Sequence, residues 1–371
     1  MILDTTTPAS FSAARYIKEI GRGVKGARPL PRADVETLFE AMLQGRVSDI
    51  ELGAILMAYR IKGETPEELA GMLDVAHRHC APLTPVAGQR VVVIPSYNGA
   101  RKQPNLVPLL ALLLQRAGLP VLVHGVRHFA GRITSLELFE ALDLPPSPST
   151  AAASETLVQT GLAVLAIDTL SPALDSLLAR REVIGLRNST HTLVKMLQPI
   201  GDHGPEVAVQ LVSYTHPEYR DTLGAFFAAH PANVLLTRGT EGEAVANARR
   251  PGRIDHLRGG QSTVLDSGVE GSVSAVPTMP AGTDLQATIA YIRAVLAGEE
   301  PVPEPLARQI DAIRQAAAGR RRKAGNDRRT AVGTPCIACL NTACSAGTSH
   351  VTDCQRHPST GTQPPVSISH Q

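Results

Sequence analysis

The sequence predicts an α/β protein, with a small N-terminal helical domain and a larger domain whose mostly parallel sheet is flanked by helices. Three observations carry that expectation. Between residues 34 and 79, apolar side chains recur at helical spacing between clear start and stop signals. After Pro82 and Pro85 the pattern changes to short aliphatic runs separated by helical stretches. Residues 90–123 then read as strand, helix, strand, the unit from which parallel sheets are built.

Residues 1–14 are small and polar and read as a flexible N-terminus. Asp34 is placed to cap a helix that carries Val35, Leu38, Phe39, Met42 and Leu43 on one face and stops at Gly45. Ser48 and Glu51 form a capping box ahead of Leu52, Ile55, Leu56 and Tyr59. Thr65, Pro66 and Glu68 open a third helix with a cap, a first-turn proline and a second box. The helical domain is expected over 15–84, completed by a helical segment near 187–200. Beyond it, Arg90–Ile94 reads as a buried strand, 95–104 as a loop, 105–116 as a helix and Pro120–Val123 as the next strand. Strands are expected again at 162–167, 207–213 and 233–237, and helices at 284–297 and 305–318, closing an α/β domain over 85–318. From 319 to 371 the composition turns basic, then rich in Gly, Thr, Ser and Pro, as in disordered tails.

Composition narrows the function. With no Trp and 3% aromatic residues among 371, the chain is not a module that stacks single-stranded bases on rows of rings. The longest apolar run, Leu106–Leu114, is too short for a bilayer, and no basic stretch followed by an apolar one opens the chain. The expected setting is cytoplasmic, with no membrane partner. Four of the five cysteines lie beyond residue 335, so disulfides do not staple the body. Cys336, Cys339, Cys344 and Cys354 have two readings, a reduced and unstructured tail or a tetrahedral zinc site.

Charge is segregated although the net value is only +2. Arg15, Lys18, Arg22, Lys25, Arg28 and Arg32 stand against Glu19 alone, and Arg249, Arg250, Arg253 and Arg258 against Asp255. Six further basic residues crowd into 320–329. Basic stripes on an acidic body suit a binder of phosphate backbones, which gains affinity by displacing condensed counterions. Solvated basic loops without a ligand are the simpler alternative.

The loop after the first strand reads Ile94-Pro-Ser-Tyr-Asn-Gly-Ala-Arg-Lys-Gln-Pro-Asn105, and the second strand ends in Val123-His124-Gly125-Val126-Arg127. With Gly185-Leu-Arg187-Asn188 and the helical domain, these strings resemble the anthranilate phosphoribosyltransferase family of glycosyltransferase family 3, whose fold nucleoside phosphorylases share. In that family a glycine-rich loop followed by N-x-S-T cradles pyrophosphate, an adjacent Asp-Glu pair holds magnesium, and an arginine binds the acceptor carboxylate.

The resemblance implies a residual phosphate and substrate pocket of Asn98, Gly99, Arg101, Lys102, Asn105, His124, Gly125, Arg127 and Arg187. Departures are many. Pro95 removes a donor and Tyr97 puts a ring where glycine gave room, so Arg101 and Lys102 are expected to hold a phosphate by side-chain charge instead of a backbone nest. The acidic pair falls on Ala244 and Val245, beside Glu241 and Glu243 at a different spacing. Tyr97 either stacks a base or fills space that a sugar-phosphate once used. His124 reads as a structural residue, and Arg187 as either an anion ligand or a helix-end arginine paired with a local acid.

The strings at 18–23, 60–64, 95–102, 187–193, 216–219 and 239–243 are similar to a YbiB-type branch of that family, which binds DNA and RNA without sequence preference. That resemblance implies a homodimer joined through the helical domains, with a basic groove for single- or double-stranded nucleic acid. Arg15, Lys18, Arg22, Lys25, Arg28, Arg32, Arg249, Arg250 and Arg253 are the expected contacts. No catalytic residue and no cofactor are expected on this reading. The alternative is a phosphoribosyltransferase that acts, with magnesium, on a small aromatic or nucleobase acceptor.

Overall fold

The computed structural model describes residues 11–230, 232–269, 271, 278–282 and 284–318. The chain opens with α1 (Ala14–Ile20), α2 (Arg32–Leu43), α3 (Asp49–Lys62) and α4 (Pro66–Arg78). Both capping boxes form, and each glutamate does a second job. Glu51 Oε1 accepts the Ala13 N–H at 2.8 Å, while the fully buried Glu68 accepts the Leu30 N–H at 2.9 Å and pairs with Lys62 at 2.6 Å. These two carboxylates fasten the basic segment 15–32 to the bundle at both ends. The segment itself holds a helical turn, α1, that its charge density hid from the sequence reading. Asp34 is not a cap. The helix starts at Arg32 behind Pro31, and Asp34 in its first turn pairs with Arg15 at 3.3 Å.

The α/β part runs β1 (Val91–Ser96), α5 (Val107–Arg116), β2 (Val121–Gly125), α6 (Ser135–Ala141), α7 (Thr150–Thr160) and β3 (Leu162–Ala166). It continues through α8 (Ile167–Leu170), α9 (Pro172–Ile184), α10 (Thr190–Leu193), β4 (Ala208–Tyr214), α11 (Pro217–Ala229) and β5 (Asn233–Arg238). The last elements are β6 (Ile254–Arg258), β7 (Gln261–Asp266), α12 (Leu285–Ala297) and α13 (Glu304–Ala317). The seven-stranded sheet has the order β3-β2-β1-β4-β5-β6-β7, and every pairing is parallel except β5 with β6 and β6 with β7.

β1 is buried on both faces, which its unbroken Val-Val-Val-Ile run dictates. Val92 and Ile94 pack into one core with Leu110, Leu114, Ile292 and Ile313, while Val91 and Val93 join a core continuous with Phe39, Ile55 and Tyr59 of the helical bundle. α9 packs on α2, and α10 on α4, so two elements from the middle of the chain complete the bundle. The order of strands reverses between β1 and β4. In open parallel sheets the crevice beyond the carboxyl ends of such neighbours is where ligands bind.

Candidate functional site

Five backbone N–H groups of the loop after β1 converge on two carboxylates of the same chain. Asn98 and Gly99 donate to Glu243 Oε1 at 2.7 and 2.6 Å. Lys102 and Gln103 donate to Glu241 Oε1 at 2.7 and 2.9 Å, and the Arg101 N–H faces both Glu241 oxygens at 3.3 Å. This is an anion-binding nest, which corrects the expectation that side-chain charge had replaced one. Pro95 lies inside β1 opposite His124, so its missing N–H costs the loop nothing. Tyr97 turns into the core, and its hydroxyl shares a 2.7 Å hydrogen bond with His124 Nδ1. The left-handed turn comes from Gly99 (φ 60°), where a Cβ would sit 2.8 Å from the Ile133 carbonyl oxygen. The Arg101 and Lys102 side chains point to solvent.

The two glutamates ride on a tight loop after β5. Glu241 itself takes a left-handed conformation (φ 53°), followed by Gly242 at φ 92°. Ser213 Oγ and Lys195 Nζ each donate to the Gly242 carbonyl at 3.0 Å. Asn98, with 1% exposure, keeps both carboxamide atoms unpartnered among the described residues, and so does Glu243 Oε2. Ala244 and Val245, where the family's acidic pair would fall, are buried apolar residues. Among the described residues, both Glu241 oxygens and Glu243 Oε1 accept from amides, which leaves Glu243 Oε2 as the one oxygen of the two carboxylates without a partner, and no group of three metal-ligating side chains occurs. This donor set does not fit a magnesium ion.

Beside the nest lies a group of cations that no sequence spacing announced. Arg181, Arg132 and Arg187 surround the Phe129 ring, their guanidinium carbons 3.4, 5.2 and 5.8 Å from its centre. Arg60, Arg187, His191, Lys195, Tyr214 and His216 line a cavity of about 390 Å³ between α3 and β4. Burial, followed by Arg132 and Arg181, holds the Arg187 pKa below its usual value. Burial likewise brings Lys195 down to about 8, although Glu243 opposes the shift. Among the described residues Arg187 has no acid within 4.0 Å, so the local ion pair offered as its simpler explanation does not form. Arg132 alone in the group has one, Glu241 at 3.6 Å.

Other residues of the expected pocket are structural. His124 is fully buried, and that burial lowers its pKa to about 3, leaving a neutral ring. Asn105 donates to Ser135 Oγ at 3.0 Å, and its Oδ1 accepts the Val107 N–H at 3.2 Å where α5 begins. Gly125 leaves no room for a Cβ against the Ser96 carbonyl, and Arg127 pairs with Asp168 at 2.7 Å.

The basic stripes divide into neutralised and free charges. Arg15 pairs with Asp34, Arg22 with Glu19 at 2.6 Å, Arg32 with Glu36 and Asp74, and Arg253 with Asp255 at 2.8 Å. Lys18, Lys25, Arg28, Arg249 and Arg250 are exposed and make no ion pair among the described residues. Arg249 shares a shallow hollow with Lys102 and Gln103, which brings the second stripe to the edge of the nest. The tail cysteines and residues 319–371 lie outside the described residues.

Residues 14–80 match the helical bundle domain of the glycosyl transferase family. The whole fold is similar to the anthranilate phosphoribosyltransferase of Thermus thermophilus, with a TM-score of 0.65 at 21% identity over 81% of this chain and 87% of that one. A helical bundle of this type on a parallel sheet with this crevice defines the anthranilate phosphoribosyltransferase-like fold. The anthranilate phosphoribosyltransferase of Prochlorococcus marinus (strain MIT 9313) is 28% identical over 80% of this chain and 84% of its own length. Within that class the chain belongs to the family of YbiB from Escherichia coli (strain K12), an uncharacterized protein to which it is 39% identical over 80% of this chain and 91% of the relative.

Proposed function

We infer that this protein binds nucleic acid through phosphate contacts, without sequence preference, as a homodimer joined through its helical domains. The observation that carries the reading is the set of exposed cations Lys18, Lys25, Arg28, Arg249 and Arg250, which make no ion pair among the described residues, on a chain whose net charge is only +2. Glu51 and Glu68 hold the first three on a fastened segment, so little ordering entropy opposes their contact with a polyanion. Exposed apolar side chains on the same bundle, Val24, Ile50 and Ile61, are consistent with a subunit contact there. A cytoplasmic setting, where DNA and RNA are at hand, goes with this reading. Among the described residues no helix is long and apolar enough to cross a membrane.

The test is the salt dependence of oligonucleotide affinity. Each phosphate contact contributes about 0.7 to 0.9 to the slope of log K against log salt. Replacing Lys18, Lys25 and Arg28 together by Ala should flatten that slope by about 2 to 3. The triple replacement of Arg15, Arg22 and Arg32, whose charges are already met by acids, should do markedly less. Equal effects of the two triples, or no effect of the first, would overturn the assignment.

A second reading, phosphoribosyl transfer to a small aromatic or nucleobase acceptor, draws on Arg187, which has no acid partner among the described residues, and on the similarity to anthranilate phosphoribosyltransferases. The carboxylates lodged in the nest weigh against it, since they occupy the amides a pyrophosphate group would need. Magnesium-dependent binding of phosphoribosyl pyrophosphate would favour it over the first.

A further inference from the structure

Glu241 and Glu243 sit on the nest as a ligand would. Five N–H groups point at two carboxylates, while within the same site the Asn98 carboxamide and Glu243 Oε2 are buried without partners among the described residues. A permanent structural element would be expected to satisfy those groups, because a buried polar atom left unpaired loses its hydration without recompense. The segment is also held in an unfavourable backbone shape. Glu241 is one of three non-glycine residues with positive φ among those described, and at Gly242 any Cβ would run into the Asn98 carboxamide. Its latch is a pair of hydrogen bonds to one carbonyl, from Ser213 and from Lys195, which the cationic cavity surrounds. Arg132 spans the two parts, donating to the Gly99 carbonyl at 3.0 Å while facing Glu241 at 3.6 Å.

We propose that Glu241 and Glu243 are built-in competing ligands of the 98–103 amide nest, so that a diphosphate group gains the nest only when the 239–243 segment withdraws. The contact is autoinhibitory. It keeps the five-amide anion site closed, and the cations at Arg132, Arg187 and Lys195 stand ready to neutralise an incoming phosphate once the carboxylates leave. The inference does not depend on nucleic-acid binding, which uses other residues and is read in a separate assay.

The experiment compares the full-length protein with its Glu241→Ala/Glu243→Ala variant. Titrations use inorganic pyrophosphate and, in parallel, a nucleoside diphosphate, followed by calorimetry and by the amide resonances of Asn98, Gly99 and Lys102. The variant should bind pyrophosphate about tenfold or more tightly than the parent, with the shifts centred on those amides. Binding of both probes assigns the nest to a diphosphate group in general, and binding of pyrophosphate alone assigns it to the free anion. Equal weak binding by parent and variant, or tighter binding with shifts elsewhere, overturns the proposal. If the double variant does not fold, Glu241→Gln keeps the shape and removes one charge that faces three N–H groups. A gain of several-fold is then expected, and no gain overturns the proposal equally well.

Discussion

Replacing Glu68 by Ala removes a carboxylate that has 0% exposure and three partners. These are Lys62 Nζ at 2.6 Å and the Leu30 and Thr65 N–H groups, each at 2.9 Å. The variant leaves Lys62, 9% exposed, without its counter-charge and Leu30 without an acceptor. Breaking one side of a buried pair costs about 3–5 kcal/mol, a large share of a typical domain's stability of about 5–15 kcal/mol. Lys62→Met should cost about 3 kcal/mol by the same reasoning, because it strands Glu68. Combining Lys62→Met with Glu68→Leu removes both charges at once, so its cost should fall short of the summed single losses by about 2 kcal/mol. Urea denaturation of the parent and variants, compared at unchanged m, measures this directly. Because Glu68 also anchors the end of the basic segment, Glu68→Ala should weaken oligonucleotide binding beyond what the folded fraction explains. Single losses under about 1 kcal/mol, or strictly additive ones, would refute the buried-pair argument.

Three more outcomes follow from the geometry. Gly99→Ala, at φ 60° with a Cβ 2.8 Å from the Ile133 carbonyl oxygen, should cost about 1–3 kcal/mol in thermal melts, and an unchanged melting point would contradict the close approach. His77, His124 and His191 are all driven to about 3 by burial, so they stay neutral in the folded chain while the unfolded chain takes up protons below about 6.5. Stability should therefore be full above that value and fall as the pH drops toward 3, by up to about 2 kcal/mol per histidine between pH 7 and 5; denaturation midpoints flat across that range would contradict it. Arg187→Met removes one of several like charges crowded around Phe129 and should leave stability unchanged or raise it by about 0.5–1 kcal/mol. A loss above about 1 kcal/mol would show that the cluster is a stabilising network instead.

What the sequence revealed divides along the line between local and non-local chemistry. The Ser48–Glu51 and Thr65–Glu68 boxes were legible because their partners lie three residues apart, and the apolar run of β1 because burial on both faces leaves no polar position. α1 and α9 escaped notice because charge dominates them; α9 buries only Leu174, Leu177 and Leu178. β7 was missed because its side chains are largely exposed. The nest was misjudged since its requirement is one left-handed residue at Gly99 and free N–H groups, not a run of glycines, and its occupants lie about 140 residues away along the chain. The cations at positions 60, 132, 181, 187 and 195 meet only through the reversal of strand order and the packing of α9 and α10 on the bundle. Free and neutralised arginines in the basic stripe look alike in sequence, because Asp34, Glu36 and Asp74 reach them from the packed bundle.

Electrostatic binding of nucleic acid is measured by titrating labelled single-stranded oligonucleotides of unrelated sequence at two salt concentrations. Affinities should be alike across sequences and fall steeply as salt rises. No binding at the lower salt, or affinity that ignores salt and follows sequence, would contradict it and turn attention to the cavity beside Arg187 and Lys195.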